Sequence, residues 1–247
     1  MERDGVEDDD IVCLDESFFI NDNYQLTRFT FGSQVLELYC LQSASTDFDL
    51  TGQLVWPGAE LLNHYLSKNA DMLRGCSVIE LGSGVGITGI LCSRFCSEVV
   101  MTDHNDEVLK ARLCDTLRVL WHLASEDILT RNIELHQSSQ DSHSCARLKA
   151  EKLEWGNSEQ LKYILQRHPE GFDLSSIPLL FNTVEKLLQV SRQAKCKFIL
   201  GYVSRAKVMD DMVISEASQH GLHVTEVAGT RATVRNLEGV IYEITCG

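Results

Sequence analysis

The sequence predicts an α/β fold in which a parallel sheet carries helices on both faces. Two stretches support this prediction. The short apolar run over 77–81 stops at a glycine cluster and is followed by apolar residues at helical spacing. A second short apolar run over 98–103 is again followed by a helical pattern, which continues through Leu120. Strands that alternate with helices in this way are typical of parallel sheets.

Other elements are predicted on both sides of this central region. Before it, the apolar pattern over 25–42 predicts a β-hairpin around Gly32 and Ser33, and Pro57 opens a predicted helix over 57–69. After it, we expect, in chain order, a third strand over 133–135, a polar loop over 137–144, a buried strand over 197–202, a helix over 209–220, and two closing strands over 223–227 and 240–245.

Length, charge and cysteine usage limit the class of protein. The chain has 247 residues, 44% of them hydrophobic, which suits one domain. We predict an acidic disordered tail over 1–17 and a single domain over 18–247. The net charge of -14 disfavours a partner made of nucleic acid. No apolar run is long enough to span a membrane, and nine cysteines without a signal peptide favour the cytoplasm, with the nucleus as an alternative.

The glycine cluster after the first strand predicts a ligand site. Its sequence from Gly82 is Gly-Ser-Gly-Val-Gly, which lets the backbone turn sharply and approach a ligand closely. By spacing, Gly84, Gly86 and Gly89 also satisfy the dinucleotide pattern G-x-G-x-x-G. Glu80 favours adenosylmethionine over NAD, because a carboxylate suits a positive amino group better than a pyrophosphate.

Asp103 ends the next strand. At that position its carboxylate can accept hydrogen bonds from ribose hydroxyls. Taken alone, it is almost equally well explained as the N-cap of a helix that begins near Asn105. The glycine cluster could also have a purely structural role, as a tight connection between strand and helix. The cofactor site is the stronger interpretation, because the neighbouring strand supplies a matching acid.

Four short sequence blocks resemble the seven-β-strand protein-lysine methyltransferases of the methyltransferase-like group, both in their order and in their spacing. They are Val-Trp-Pro-Gly-Ala over 55–59, Val-Ile-Glu-Leu-Gly-Ser-Gly-Val-Gly over 78–86, Met-Thr-Asp over 101–103, and Leu-Glu-Trp-Gly over 153–156. The resemblance covers roughly residues 25 to 245. It implies a Rossmann-like class I methyltransferase sheet of seven strands, with helices on both faces and an N-terminal hairpin.

The resemblance also implies a cofactor, a reaction and a set of site residues. S-adenosyl-L-methionine would be the cofactor, and the reaction would be methyl transfer to a lysine of a protein substrate. Gly82, Ser83 and Gly84 would line the methionine part, with Glu80 facing its amino group. Asp103 would hold the ribose. Of the two tryptophans in these blocks, Trp155 would lie beside the adenine and Trp56 would close the pocket. No metal is implied.

The chain departs from this family at the fourth strand. The resemblance implies a buried apolar run there, ending in an acid beside the transferred methyl group. Here the chain reads Gly-Phe-Asp-Leu-Ser-Ser-Ile-Pro-Leu-Leu over 171–180, which is too short for that run. We therefore predict a shortened fourth strand, as alternative splicing would produce, and assign no catalytic residue. A catalytically inactive binding module is one alternative function. An NAD-dependent oxidoreductase and a methyltransferase acting on small molecules are two others.

Several further residues are interpreted as structural. His64 and His104 are the histidines nearest the predicted pocket, and we assign neither as a general base. Cys92 and Cys96 share one helix face, which favours packed thiols over half of a metal site. His136, Asp141 and His143 are expected in a solvated loop. The pair at 204–205 would border a substrate groove or form a surface turn.

Overall fold

The fold was analysed in a computed structural model. It describes most of the chain in seven stretches, namely 24–42, 52–104, 128–138, 146–168, 180–190, 196–204 and 207–247. Four predicted features lie outside the described residues. These are the acidic tail over 1–17, the helical pattern through Leu120, the loop that contains Asp141 and His143, and the shortened strand up to Leu179.

The N-terminal hairpin is confirmed. Strands β1 (Gln25–Phe31) and β2 (Gln34–Cys40) pair antiparallel around a two-residue turn at Gly32 and Ser33. Arg28 and Glu37 are direct cross-strand partners, and the guanidinium contacts the carboxylate at 2.7 Å. Opposite charges placed across a strand pair stabilise its register, although both side chains here are exposed.

The next part of the chain forms a parallel three-stranded sheet with helices between the strands. Its elements are α1 (Pro57–Lys68), a short 3-10 helix (Ala70–Leu73), β3 (Ser77–Leu81), α2 (Ile87–Cys92), β4 (Glu98–Asp103), α3 (Ile128–Ser138) and β5 (Arg147–Lys152). Strand β4 lies in the middle and pairs in parallel with β3 and β5. The predicted strand-turn-helix order is confirmed.

The third strand was predicted at the wrong place in the chain. Residues 133–135 were expected to form the third strand, but they lie within helix α3, where Ile128, Leu129 and Ile133 are buried. The third strand is β5, which carries four charged residues, with Leu148 as its one fully buried side chain. A strand of this composition is found at a sheet edge, where charge protects the open backbone from pairing with other chains.

The remainder of the chain builds a second sheet. Its elements are α4 (Ser158–Arg167), α5 (Leu180–Val190), β6 (Phe198–Val203), α6 (Lys207–Gln219), β7 (Leu222–Glu226), β8 (Ala232–Val234) and β9 (Leu237–Cys246). Strand β9 pairs antiparallel with β6, β7 and β8. The predicted helix and the predicted closing strands are confirmed, with ends shifted by a few residues. No helix among the described residues combines the length and apolarity of a membrane span.

The two sheets lie in one layer, because the strands of both contribute alternate residues to the same two cores. One core contains Val78 of β3 and Ile199 of β6 and is covered by α1, α2 and α3. The other contains Ile79 of β3 and Phe198 of β6 and is covered by α4, α5 and α6. Successive strand residues point to opposite faces, so this alternation defines two helix-covered faces of one α/β layer.

Within the described residues, however, the strands of this layer form two separate hydrogen-bonded ladders. Strand order is β3-β4-β5 in the first sheet and β6-β9-β7 in the second, and over the described stretches no backbone ladder connects the two sheets. The predicted strand count of seven stays a prediction, because residues 171–179, where the fourth strand was expected, lie outside the described stretches. Within these stretches, β3 and β6 each have one strand neighbour, whereas β4 and β9 have at least two.

Candidate functional site

The candidate site lies where β3 and β4 end side by side. Leu81 and Thr102 are paired at these ends, and the Ser83 N–H donates to the Thr102 carbonyl oxygen at 2.9 Å. The glycine turn, which we define as residues 82–86, therefore starts beside Asp103. Ligands of open α/β sheets bind at this carboxyl edge.

Asp103 is bonded directly to the glycine turn. Its Oδ2 accepts a 2.9 Å hydrogen bond from the Gly84 N–H, and its Oδ1 accepts one of 2.8 Å from the His104 N–H. The residue is 4% exposed. The acid at the end of β4 and the glycine turn after β3 are thus in contact, and the carboxylate holds the middle of the turn.

Three glycines of the turn adopt left-handed backbone conformations, with φ of 71° at Gly82, 51° at Gly84 and 83° at Gly86. Space is also restricted at each. A Cβ atom built on Gly84 would lie 2.5 Å from the Gly52 carbonyl oxygen, and one built on Gly82 would lie 2.9 Å from the indole ring of Trp155. Only glycine satisfies both the conformation and the space.

Trp155 reaches the turn because β5 runs parallel to β4. The ladder continues past the strand end, where the Leu153 N–H donates to the Asp103 carbonyl oxygen at 2.9 Å. The indole then packs against Gly82, with its ring centroid 6.4 Å from that of His104. Among the described residues, the buried Trp155 Nε1–H has no hydrogen-bond acceptor. A buried indole donor without an acceptor is a position where a polar ligand atom would be stabilised.

Glu80 lies beneath the turn. Its Oε2 accepts a 2.9 Å hydrogen bond from the Gly89 N–H in the first turn of α2. Burial raises the pKa of this carboxyl to about 7, although hydrogen bonds from Ser83 and Gly89 act in the opposite direction. In this structure the carboxylate holds the start of α2, and its predicted role toward a ligand amino group stays a prediction.

Ser83 and Trp56 are the other predicted pocket residues. Ser83 is 7% exposed and belongs to the turn itself. Trp56 directly precedes α1 and is 37% exposed. A side chain with this exposure can cover a ligand that binds beside it. The segment that leads to Trp56 passes over the turn, as the approach of Gly52 to Gly84 shows.

The two histidines near the predicted pocket are on the surface. His64 is exposed and packs edge-on against the Phe31 ring at 5.0 Å, while the His104 side chain is 67% exposed beside Asp103. His136 was expected in a solvated loop, and that prediction was wrong. It is buried on α3, with its Nε2 2.9 Å from the Glu37 carbonyl oxygen, because α3 packs on the hairpin.

The cysteines and Ser204 do not build a second site within the described residues. Cys92 is the last residue of α2 and Cys96 follows the helix, and both are free thiols. Contact with Cys96 together with burial raises the pKa of Cys92 well above its usual range. In the described stretches, no three metal-ligating side chains are grouped to hold an ion. The Ser204 hydroxyl donates to Asp210, and Arg205 lies outside the described residues.

Sequence reasoning missed three residues that touch the turn. Gly52 crosses Gly84, Leu129 packs against Gly86, and the Asn132 amide donates to the Val85 carbonyl oxygen at 2.9 Å. Leu129 and Asn132 belong to a helix whose residues 133–135 were predicted to be a strand. The apolar spacing of Ile128, Leu129 and Ile133 was the available signal, and it has helical period.

A family model described as lysine methyltransferase matches residues 37–114. This segment holds Trp56, the glycine turn and Asp103. Residues 37–114 are thus similar to this family, over less than half of the chain. The match ends before Trp155, whose place beside the turn comes from the structure alone.

Curated relatives of the chain include two lysine methyltransferases. Protein-lysine N-methyltransferase EFM3 of Chaetomium thermophilum is 26% identical over 77% of this chain and 53% of the relative. Calmodulin-lysine N-methyltransferase of Arabidopsis thaliana is 31% identical over 47% of this chain and 32% of the relative. The chain thus spans about half, or less, of the length of these relatives.

A solved structure extends the similarity to the fold. A SAM-dependent methyltransferase from Agrobacterium tumefaciens superposes with a TM-score of 0.50 at 12% sequence identity, covering 90% of this chain and 71% of that one. At this identity the likeness concerns the fold only. The predicted class I methyltransferase fold is confirmed at this level, with a mixed α/β layer and the glycine turn at its carboxyl edge.

Proposed function

We propose that the chain binds S-adenosyl-L-methionine and transfers its methyl group to a lysine side chain of a protein. The observation that carries the proposal is the hydrogen bond between Asp103 and the Gly84 N–H, in a segment that matches the lysine methyltransferase family. This bond joins the acid at the end of β4 to the glycine turn that follows β3. The two meet at the edge where such sheets bind ligands.

The residues at the turn fit this cofactor. Gly82 and Gly84 give the turn its left-handed conformations, and Gly82 is exposed, so that a ligand can approach its main chain. Asp103 provides the acid for ribose hydroxyls, and Trp155 provides an aromatic face and a buried N–H donor without a protein acceptor among the described residues. Ser83 and Glu80 would complete the methionine side of the pocket, and Trp56 would close it.

When bound, S-adenosyl-L-methionine supplies an electrophilic methyl group on a sulfonium centre. The contribution of this chain is to orient the cofactor at the turn and to receive a neutral lysine amine in line with the methyl group. The net charge of -14 favours approach of a cationic, lysine-bearing partner. We assign no general base. We place the protein in the cytoplasm, with the nucleus as an alternative.

A catalytically inactive binding module is the second candidate function. It is favoured by the break between β3 and β6 in the described residues, because the acceptor side of the site would be built at that position. Such a chain would retain the cofactor turn and bind S-adenosylhomocysteine without methylating a protein. Transfer of labelled methyl groups to proteins of a cell extract separates the two functions.

Calorimetric titration with S-adenosylhomocysteine tests the cofactor pocket without knowledge of the acceptor. We expect saturable binding by the unmodified chain, no binding by Gly84→Arg, and binding weakened about tenfold or more by Asp103→Ala, which removes a charged acceptor from the turn. Gly75→Ala is the matched control, because Gly75 has a φ of 74° but open space around it, away from the turn.

The same titration with NAD tests the alternative cofactor. Tight binding of NAD without binding of S-adenosylhomocysteine would favour the oxidoreductase and overturn the proposal. Failure of a folded sample to bind either ligand would leave the methyltransferase fold without a cofactor function. Loss of binding in Gly75→Ala as large as in Gly84→Arg would show that backbone strain, rather than the site, explains the result.

A further inference from the structure

Asn132 is the one side chain that bonds both the N-terminal hairpin and the glycine turn among the described contacts. It is 0% exposed on helix α3. Its Oδ1 accepts a 2.7 Å hydrogen bond from the Tyr39 N–H. Its Nδ2 donates to the Tyr39 carbonyl oxygen at 3.0 Å and to the Val85 carbonyl oxygen at 2.9 Å. One oxygen and two N–H groups are thereby all used.

The rest of α3 divides between these two neighbours. On the turn, Leu129 packs so closely that its Cδ1 would lie 2.5 Å from a Cβ atom built on Gly86. On the hairpin, His136 contacts the Glu37 carbonyl oxygen at 2.9 Å, and the Arg131 guanidinium lies 3.8 Å from the centroid of the Tyr39 ring. Asn132 lies between these side chains and is hydrogen-bonded to both the hairpin and the turn.

A second connection between hairpin and turn runs beside the first. The Leu41 N–H, just after β2, donates to the Gln53 carbonyl oxygen at 2.9 Å. The preceding residue, Gly52, is the one that crosses Gly84. The hairpin therefore supports the turn from two sides, at Val85 through Asn132 and at Gly84 through Gly52.

The glycine turn depends on such external support. Three of its five residues are glycines, so it has few side chains that could restrict its backbone. Glycine-rich backbone has many accessible conformations, and each bond from outside reduces their number. The Val85 carbonyl group is buried with the residue at 1% exposure, so loss of its donor would carry a desolvation penalty.

We infer that Asn132 is a positioning residue, which holds the glycine turn in its ligand-binding conformation against the N-terminal hairpin. The inference rests on the proposed function, because the ligand of the turn is S-adenosylhomocysteine or its methylated form. It assigns a role to the hairpin as well. The hairpin is a support for the cofactor turn and is required for cofactor affinity.

The test compares Asn132→Asp and Asn132→Ala with His136→Ala in the full chain. The first substitution places a carboxylate against two carbonyl oxygens, and the second removes the amide without adding charge. His136→Ala removes a contact between α3 and the hairpin. Each variant is characterised by its thermal midpoint, by amide hydrogen exchange over 82–89 without ligand, and by its S-adenosylhomocysteine affinity.

We expect both Asn132 variants to exchange amides of the turn faster than the unmodified chain and to bind S-adenosylhomocysteine about tenfold more weakly or worse. His136→Ala should lower the thermal midpoint by a similar amount, with turn exchange and affinity within about twofold of the unmodified chain. A purely structural role of Asn132 would give the same result in both classes of variant, and that outcome overturns the inference.

The two proposals fail in different ways. If the unmodified chain does not bind S-adenosylhomocysteine, the proposed function fails, and amide exchange over 82–89 still decides whether Asn132 positions the turn. If the unmodified chain binds and the Asn132 variants bind equally well, the inference is wrong and the proposed function stands. Asn132→Ala keeps the test decisive if the charge in Asn132→Asp prevents folding.

Discussion

Asn63 and Asn132 are both completely buried, but their side chains have opposite hydrogen-bonding states. Asn132 uses all its donors and its acceptor. Asn63, on α1, has neither a donor nor an acceptor partner among the described residues. A buried amide without partners carries an uncompensated desolvation cost, whereas a paired amide does not.

We predict that Asn63→Leu raises the free energy of unfolding by about 1–2 kcal/mol, because leucine has similar branching and no polar atoms to leave unpaired. Asn132→Leu is the matched control and should lower it by about 2–3 kcal/mol, since three backbone groups lose their partner. Urea unfolding of both variants measures the effect. Destabilisation by both would show that Asn63 is hydrogen-bonded in solution.

Glu80 should make stability depend on pH in a defined direction. Burial raises its pKa from 4.5 to about 7 in the folded chain. The folded state therefore favours the protonated form. The stabilising contribution is fully present below pH 4.5 and is lost as pH rises through 7. The free energy of unfolding of Glu80→Gln, compared with that of the unmodified chain, should rise by about 1–3 kcal/mol as pH increases from about 5 to about 8.

Glu98 is a control, because its pKa is shifted in the opposite direction to that of Glu80. Burial tends to raise its pKa, but Lys149 and His168 outweigh burial and lower it. Its stabilising contribution is present above the ordinary carboxyl pKa and is lost as pH falls through the lowered value. Urea unfolding from about pH 2 to pH 8 should therefore show Glu98→Gln approaching the unmodified chain below about pH 4. If the Glu80→Gln difference stays constant over this range, the raised pKa of Glu80 is wrong.

At the scale of elements, α1 is packed onto β6 through glycine. A Cβ atom built on Gly201 would lie 2.5 Å from the Gly58 carbonyl oxygen and 2.9 Å from the Leu62 Cβ atom. Because the nearest atom belongs to the helix backbone, a side chain at Gly201 would push the whole helix away from the sheet. The glycine therefore sets the distance between the two elements.

Gly201→Ala should lower the free energy of unfolding by about 1–3 kcal/mol through overpacking. Gly229→Ala is a useful comparison, because Gly229 has a φ of 77° and no neighbour within 4 Å of its Cβ position. It should cost only the backbone strain, about 1–2 kcal/mol. Thermal and urea unfolding together with a near-ultraviolet spectrum check both. An unchanged stability of Gly201→Ala would mean that α1 moves freely over β6.

Elements with a strong local signal were predictable, and elements with a weak one were not. The glycine turn between β3 and α2 is marked by Gly82, Gly84 and Gly86, which only a sharp turn requires. Strand β5 consists mainly of charged residues, because it lies at the edge of its sheet, and its composition resembles that of a loop. Its position became clear only from its ladder with β4.

At the scale of the whole molecule, the break between the sheets predicts an exchange pattern. Strands β4 and β9 are paired on both sides, whereas β3 and β6 have one neighbour each in the described residues. We expect amides of β4 and β9 to exchange more slowly than alternate amides of β3 and β6, because unpaired N–H groups are open to solvent.

Amide hydrogen exchange followed by nuclear magnetic resonance measures this pattern residue by residue. The N–H groups of β3 that donate hydrogen bonds to β4 serve as the internal control, because they belong to the same strand but are paired. Uniformly slow exchange along β3 and β6 would show that a further strand pairs between them, and would contradict a break in the sheet.

The amino-acid sequence determined the local features of this protein and the ligand chemistry they support. A glycine turn after an apolar run, an acid at the end of the next run, and a hairpin at Gly32 and Ser33 each depend on residues close in the chain. Only the tertiary structure placed Trp155 on Gly82, Gly52 on Gly84 and Asn132 on Val85. These contacts join segments far apart in sequence, and they exist because parallel strands and packed helices bring the segments together after folding.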